Sequence, residues 1–214
     1  ETALAEAEIE YQDDPCTTVY VKFPMHDDLG KLGHIDHSKL YFVIWTTTIW
    51  TLPGNLAIAL HPSESYAIVK APNGEMYIMA EALVEKVMKV GGVENYDIVE
   101  THPGSFFENM LAQHPFLDKT SRLVNADYVT MDSGTGCVHT APGFGADDYE
   151  TCRRYGMDMV VPVDDRGRHT DYAGKYAGMK TEESNPVILA DMKESGMLFA
   201  SEEIVHSYPH CWRC

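Results

Sequence analysis

Short apolar runs of strand length recur along this chain of 214 residues, and turn-forming residues separate them. Residues 18–23 alternate between apolar and polar side chains, whereas residues 40–45 are almost continuously apolar, which predicts a strand buried on both faces. Residues 66–69 and 76–79 flank the pair Asn73-Gly74, which predicts a β-hairpin with a tight turn. Further strands are predicted at residues 96–99, 126–131, 136–140 and 159–163.

Three segments are predicted to be helices, and a glycine follows each of them. These predicted helices are residues 80–90, 147–155 and 182–195, ended by Gly91, Gly156 and Gly196. Many short strands with a few helices between them favour an α+β domain that is mainly β over a doubly wound sheet. We therefore expect a β-barrel with peripheral helices.

Composition places the chain among globular proteins, with 44% hydrophobic and 23% charged residues. Its length suits one large domain, no stretch approaches the roughly 18 apolar residues of a membrane span, and no secretory leader is evident. The five cysteines are an odd number, which favours a reducing, cytoplasmic setting. A net charge of −17 repels phosphate backbones, so we do not expect this chain alone to bind nucleic acid tightly.

Four threonines cluster at the end of the predicted strand at residues 40–45, namely Thr46, Thr47, Thr48 and Thr51. Threonine suits strands because it is β-branched, so a purely structural role is one interpretation. The alternative is that the hydroxyl groups line a small polar pocket, where they hold a substrate or a water molecule without ionising. Spacing alone does not decide between the two.

A second polar motif begins with Gly134-Thr135-Gly136 and continues through His139. Glycines let a backbone approach a ligand closely, and strand ends project side chains into sites. Asp148 follows in the first turn of a predicted helix, where it also favours the helix dipole. A purely structural role would account for His139 or for Asp148 alone. Close together, however, the two side chains could bind an ammonium group. No catalytic triad and no zinc-hydrolase spacing is legible, so any hydrolysis would use a held water molecule rather than a protein nucleophile.

The last residues contain the pattern Cys211-x-x-Cys214, which is half of a structural zinc site, a redox pair or a chance pairing. A redox pair normally begins a helix after a strand, so we favour the zinc half-site. Because the chain stops at that motif, we expect it to be a fragment of a longer protein.

Two long stretches closely resemble the signatures of isoleucyl-tRNA synthetase editing domains: WTTTIWTLPGNLAIALHP, from residue 45, and GTGCVHTAPGFGADDYE, from residue 134. The resemblance covers the whole chain, from ALAEAEIEY through PVDDRGRHTDYAG to SYPHCWRC. Relatives that edit for valine and leucine instead carry a TTRP-type sequence after the paired threonines. The resemblance implies an editing β-barrel at residues 1–205, with linking segments at 1–17 and 200–205, and the start of a zinc-knuckle linker at 206–214.

The implied activity is hydrolysis of mischarged valyl-tRNA(Ile), and of valyl-adenylate, by a positioned water molecule. The parent enzyme would attach isoleucine to tRNA(Ile) with ATP, but the signatures for that step are absent here. Editing would need no cofactor, whereas the intact enzyme would hold zinc. The implied partners are the tRNA acceptor end with its valyl-adenosine moiety and the other synthetase domains. We expect a cytoplasmic monomer that does not contact membranes.

Site roles follow from the resemblance residue by residue. Asp148 matches the aspartate that binds the substrate α-ammonium group, and His139 matches the histidine that helps to reject the isoleucyl group. Thr46, Thr47, Thr48 and Thr51 match threonines that position the ester and the attacking water. The implied substrate-binding residues are Trp45, Asn55, Gly136, Val138 and Asp147, and the implied metal ligands are Cys211 and Cys214.

Two departures from the family pattern concern affinity more than chemistry. Ile49 stands where proline is usual, which should loosen the turn, and Phe144 stands where histidine is common, which removes a polar contact near the adenosine. These departures are the only features that favour a rival hypothesis, a module that binds an aminoacyl group without hydrolysing it. A thiol redox domain that uses Cys211 and Cys214 is a third hypothesis.

Overall fold

Six strands close into a ring in the computed structural model, which describes residues 9–211. The strands are β1 Ile9–Asp27, β2 Leu40–Thr46, β3 Ala57–Leu60, β4 Ser65–Lys70, β5 Met76–Ala80, β6 Asp97–Pro103, β7 Leu111–Gln113, β8 Thr120–Asn125, β9 Cys137–Thr140 and β10 Leu198–Cys211. The helices are α1 Val84–Val90, α2 Ala146–Arg154 and α3 Thr181–Glu194. The ring runs β1-β7-β8-β3-β9-β2 and returns to β1, which confirms the expected mainly β class.

The ring has two extensions: the parallel pairing of β2 with β5 begins one, and the antiparallel pairing of the two longest strands, β1 and β10, makes the other. Strands β5, β4 and β6 continue the sheet outward from β2. Strand β10 pairs with β1 from the register Ile9↔Cys211 to Val21↔Leu198, which makes a long two-stranded ribbon. The predicted linking segments at 1–17 and 200–205 therefore lie in this ribbon as far as they are described, while the domain boundaries stay a prediction. No helix of the described residues is long and apolar enough to cross a membrane.

The burial of β3 shows why these short strands form a closed ring. All four of its side chains are buried, and they alternate between two apolar clusters. Ile58 and Leu60 belong to the main core, whereas the small Ala57 and Ala59 pack against a second cluster with Val124. Successive side chains of a strand point to opposite faces, so both faces of β3 are covered.

Most sequence-based strands and all three helices are confirmed, and two predicted strands are wrong. Residues 126–131 form a turn after β8. The strand hydrogen bonds are made by the preceding, more polar segment Thr120–Asn125, and Val129 packs against the second apolar cluster from the loop that follows. In residues 159–163 only Val163 forms a bridge, while Met159 and Val161 are 58% and 49% exposed. Strands β3, β7 and β8 and the ribbon strand β10 were not predicted from the sequence.

Tyr66 ties the hairpin of β4 and β5 to the loop before β9. Its buried hydroxyl group donates to the carbonyl of Gly136 at 2.6 Å and accepts from the N–H of His61 at 2.9 Å. Gly136 has φ of 74°, and a Cβ there would lie 2.4 Å from that of Ala80. Only glycine fits this position, so the loop is fixed both by sterics and by the tyrosine.

We expect Tyr66→Phe to lower the free energy of unfolding by about 1–3 kcal/mol, because two buried backbone groups lose their partner. Urea unfolding monitored by circular dichroism measures the change. Tyr11→Phe is the control, since Tyr11 is 71% exposed and should give an unchanged midpoint. Equal midpoints for Tyr66→Phe and the unmodified chain would show that this hydroxyl does not stabilise the loop.

Candidate active site

The threonines lie in a compact turn that we call the threonine turn, residues 46–55. The N–H of Thr48 donates to Oγ1 of Thr46 at 3.1 Å, and Oγ1 of Thr51 donates to the carbonyl of Thr48 at 2.8 Å. A 3-10 helix, Ile49–Gly54, follows directly, with Thr48 at its N-cap. The hydroxyl groups of Thr46 and Thr51 therefore stabilise the backbone of the turn, as the structural interpretation of the cluster expects.

His139, on β9, is held by the threonine turn through both ring nitrogens. Its Nε2 lies 3.0 Å from Oγ1 of Thr51, and its Nδ1 lies 2.8 Å from Nδ2 of Asn55. The same Nδ2 donates to the carbonyl of Ala57 at 2.9 Å, which fixes the orientation of the amide. Nδ1 must then accept, so Nε2 carries the proton and donates to Thr51.

Burial, followed by the charge of Lys119, lowers the pKa of His139 to about 3. A proton on Nδ1 would also face the N–H of Asn55, so the imidazole is neutral at physiological pH. Both ring nitrogens are engaged within the protein. His139 is therefore a fixed wall of the site and is not available as a general base.

A pocket of about 290 Å³ lies between the threonine turn and β9. Six of the predicted site residues line it: Trp45, Thr46, Thr47, Gly136, Val138 and His139. The two motifs meet because β2 and β9 are neighbours, with Trp45 in register with Val138. The volume is near the lower end of the about 300–1,000 Å³ of small-molecule sites, so the pocket suits a small substituent.

Asp148 lies in the first turn of α2 and is tied to the end of β9. Its Oδ2 accepts from the N–H of Ala141 at 2.7 Å, two residues beyond His139. Burial raises the pKa of Asp148, while the Ala141 N–H opposes that rise. A Cβ at Gly145 would lie 2.8 Å from Oδ1, so glycine leaves room for the carboxylate. A half-buried carboxylate at the strand end is suited to an ammonium group.

None of the other predicted site residues in the described part of the chain lines the pocket itself. Thr51 and Asn55 lie behind His139, Thr48 lines a separate groove, and Asp148 lies at the end of β9. Asp147 is exposed and lines a separate surface groove with Tyr128 and Glu150. Cys211 ends β10 with a half-buried free thiol, and Cys214 lies outside the described residues. Within residues 9–211, no group of three or more His, Cys, Asp or Glu side chains could hold a metal ion. The metal and substrate roles of these residues stay predictions.

Two residues that sequence analysis missed hold the threonine turn from behind. Nε2 of the buried His114 donates to the carbonyl of Leu52 at 2.9 Å. Lys119 donates from Nζ to the carbonyls of Pro53 and Asn55 at 2.6 and 2.7 Å. Both contacts are with backbone groups, so no pattern of side-chain types in the sequence could have pointed to them.

A match to a protein-family model identifies the family to which this fold and this site belong. The model described as leucyl-tRNA synthetase, editing domain, matches residues 33–205. The chain belongs to this editing-domain family. Such a domain is a hydrolase domain of a synthetase, in agreement with a pocket lined by threonine side chains and with a carboxylate, Asp148, at the end of the strand that borders it.

The curated relatives that match the editing domain are named isoleucine–tRNA ligases. It is 51% identical over all 214 residues to the isoleucine–tRNA ligase of Petrotoga mobilis. The corresponding enzyme of Desulfotalea psychrophila is 52% identical over the same length. The chain spans 22% and 23% of these relatives, about a fifth of their length. The resemblance to isoleucyl-tRNA synthetase editing domains is thereby confirmed.

Solved structures agree on the fold. The cytosolic leucyl-tRNA synthetase editing domain of P. knowlesi superposes with a TM-score of 0.66 and 12% identity, over 90% of this chain and 97% of that one. The P. falciparum counterpart gives 0.66 and 10%, over 87% and 99%. At these identities the similarity concerns the fold alone.

We expect His139 and His114 to keep the neutral Nε2–H form down to about pH 5, because their folded pKa values, about 3, lie below the ordinary 6.5. Nitrogen-15 NMR of the imidazoles measures this form. Asn55→Asp replaces the donor at Nδ1 with an acceptor, so His139 should become cationic at neutral pH. His114 is the internal control and should not change. An Nδ1–H tautomer of His139 in the unmodified chain would contradict the assignment.

The stability of the fold should depend on pH, because the two histidines bind protons less readily in the folded state than in the unfolded state. Unfolding returns both imidazoles to a pKa near 6.5, so the unfolded state binds more protons at acidic pH. The contribution of the two histidines to stability is therefore complete above about pH 6.5 and is lost as the pH falls toward 3.

Proposed function

We propose that this editing domain hydrolyses the ester bond of valyl-tRNA(Ile), and also cleaves valyl-adenylate. The observation that carries the proposal is the neutral His139 ring, which Thr51 and Asn55 hold against the pocket at the end of β9. A rigid ring at this place limits the size of the acyl side chain. Asp148, tied to the same strand end, supplies the anchor for the ammonium group.

A second pocket that tests the size of the amino-acid side chain, a second sieve, would answer a physical limitation of the parent enzyme. A pocket that accepts isoleucine cannot strongly reject valine, because one methylene group is worth only about 1–3 kcal/mol, a magnitude known from measurements on isoleucyl-tRNA synthetase itself. A smaller pocket that excludes isoleucine sterically can destroy the valyl product. The pocket of about 290 Å³ is consistent with that role.

The reaction needs a water molecule rather than a protein nucleophile. Thr46 and Thr47 line the pocket with hydroxyl groups, and His139 is committed to the threonine turn. Water adds to the ester carbonyl, the acyl C–O bond breaks, and the ribose oxygen leaves with a proton. The free neighbouring hydroxyl of the terminal adenosine assists this proton transfer. Positioning of the water against an activated ester contributes to the rate enhancement.

The chain spans only about a fifth of the length of its relatives, so the other synthetase domains are among its proposed partners. We propose that the parent enzyme attaches isoleucine to tRNA(Ile) with ATP, and that other synthetase domains make most tRNA contacts. With a net charge of −17 the chain itself binds whole tRNA weakly, and more weakly as salt increases. We propose that this domain is monomeric. Zinc at Cys211 and Cys214 would belong to the intact enzyme, and the editing step is derived without it.

Asp148→Asn should lower the rate of valine release from valyl-tRNA(Ile) by about 10–100-fold, because a charge-assisted contact with the ammonium group is lost. Release of radiolabelled valine by the full chain measures the rate. Glu150→Gln is the control on the same helix, since its carboxylate pairs with Arg153 on an exposed face. Release by Asp148→Asn at the rate of the control would overturn the assignment of the ammonium site.

His139→Ala should let the pocket accept the isoleucyl ester, because the wall of the sieve is removed. We expect the ratio of valyl to isoleucyl hydrolysis to fall by at least about tenfold, the effect of roughly one methylene group. Parallel deacylation assays with the two charged tRNAs give the ratio. A variant that still spares isoleucyl-tRNA would show that another group sets the size limit.

Binding of a non-hydrolysable valyl-adenosine analogue by an inactive unmodified chain would instead support a pure binding module.

A further inference from the structure

We propose that Lys119 is a positioning residue of this site: its ammonium group holds the carbonyl groups of the threonine turn and thereby fixes the His139 ring. The effect on discrimination rests on the proposed function, whereas the effect on the ring does not.

The turn has carbonyl groups that its own backbone leaves to side chains. The carbonyls of Pro53 and Asn55 lie in buried residues, and both accept from Nζ of Lys119, at 2.6 and 2.7 Å. A buried carbonyl without a partner is costly, so these two bonds stabilise the conformation in which Thr51 and Asn55 face β9.

The ammonium group is fully engaged by this arrangement. Its third N–H donates to the hydroxyl of Tyr172 at 3.3 Å, and the Tyr172 ring lies 4.7 Å from Nζ. Among the described residues no carboxylate forms an ion pair with Lys119, so the cation is held by carbonyl dipoles and a phenol. Burial lowers the pKa of Lys119 to about 8, which shows that the fold bears a cost to keep a cation here.

The consequence for the pocket follows along one chain of bonds. Lys119 fixes the carbonyl of Asn55, the Asn55 amide donates to Nδ1 of His139, and Nε2 of His139 donates to Thr51. The same cation also opposes protonation of His139, as the second cause of its low pKa. Lys119 thus controls both the position and the charge of the ring without touching the substrate.

Lys119→Met keeps the aliphatic stem but leaves the two carbonyls without a donor. We expect solvent exchange of the His139 Nε2 proton, measured by NMR, to become about tenfold faster or more, and the valyl-to-isoleucyl hydrolysis ratio to fall about tenfold. Lys119→Arg retains a cation with several N–H donors and should restore both readouts to within about threefold.

Lys31→Met is the control, because Lys31 also donates to a backbone carbonyl, that of Phe106 at 2.6 Å, and lies over an aromatic ring away from the pocket. It should leave both readouts unchanged. A folded Lys119→Met variant with unchanged exchange and an unchanged ratio would overturn the proposal. If that variant does not fold, Lys119→Gln removes the charge and places its N–H donors one bond short of the two carbonyls, so both readouts should still change. Unchanged readouts there would overturn the proposal equally.

The two readouts separate this proposal from the proposed function. If the unmodified chain hydrolyses neither ester, the proposed function fails, while proton exchange at His139 still tests the role of Lys119. If the chain edits and only the exchange rate responds to Lys119→Met, the ring is positioned by Lys119 but does not set discrimination, and the selectivity part of the proposal is wrong.

Discussion

A neutral imidazole held at both nitrogens is the interaction on which the site depends. Thr51 accepts from Nε2 of His139, and Asn55 donates to Nδ1. Because the Asn55 amide also donates to the carbonyl of Ala57, neither the amide nor the ring can reverse without losing a bond. A neutral ring whose one N–H and one acceptor nitrogen are both engaged has no free donor or acceptor for a substrate, so it contributes shape to the site.

Because Thr51 and Asn55 engage both nitrogens of His139, this histidine does not serve as the base of a catalytic triad in residues 9–211. Hydrolysis of an activated ester needs a water molecule in place more than it needs a strong nucleophile. The threonine hydroxyls and the Asp148 carboxylate can place a substrate without taking part in covalent chemistry. The strongly acidic surface is compatible with the proposed function, in which the pocket would receive only the end of a nucleic acid that other domains hold.

The sequence predicted the parts of the fold that carry a strong local signal. Residues 40–45 are almost continuously apolar, and Asn73-Gly74 marks the hairpin of β4 and β5, so both features were predicted. Strand β8 was missed because Thr120–Asn125 begins with polar residues, and the apolar residues just after it were mistaken for the strand. Six of the residues that line the pocket were named from family motifs, whereas Tyr128, Val129 and Thr130 also line it and were not predicted. Lys119 and His114 act on backbone carbonyls and leave no pattern in the sequence.

The two departures from the family pattern show how the turn is held from its apolar side. Ile49 is buried and joins the main core, so the turn has an anchor at the position where proline is usual. Phe144 packs edge-to-face on Trp50, with 4.9 Å between the ring centroids, and lies so close to Gly54 that a Cβ there would be 2.9 Å from its ring. Such contacts contribute packing that a polar histidine would not supply in the same way. The threonine turn is therefore fixed by hydrogen bonds to its carbonyls on one side and by aromatic packing on the other, which keeps the hydroxyl groups in place even without the proline.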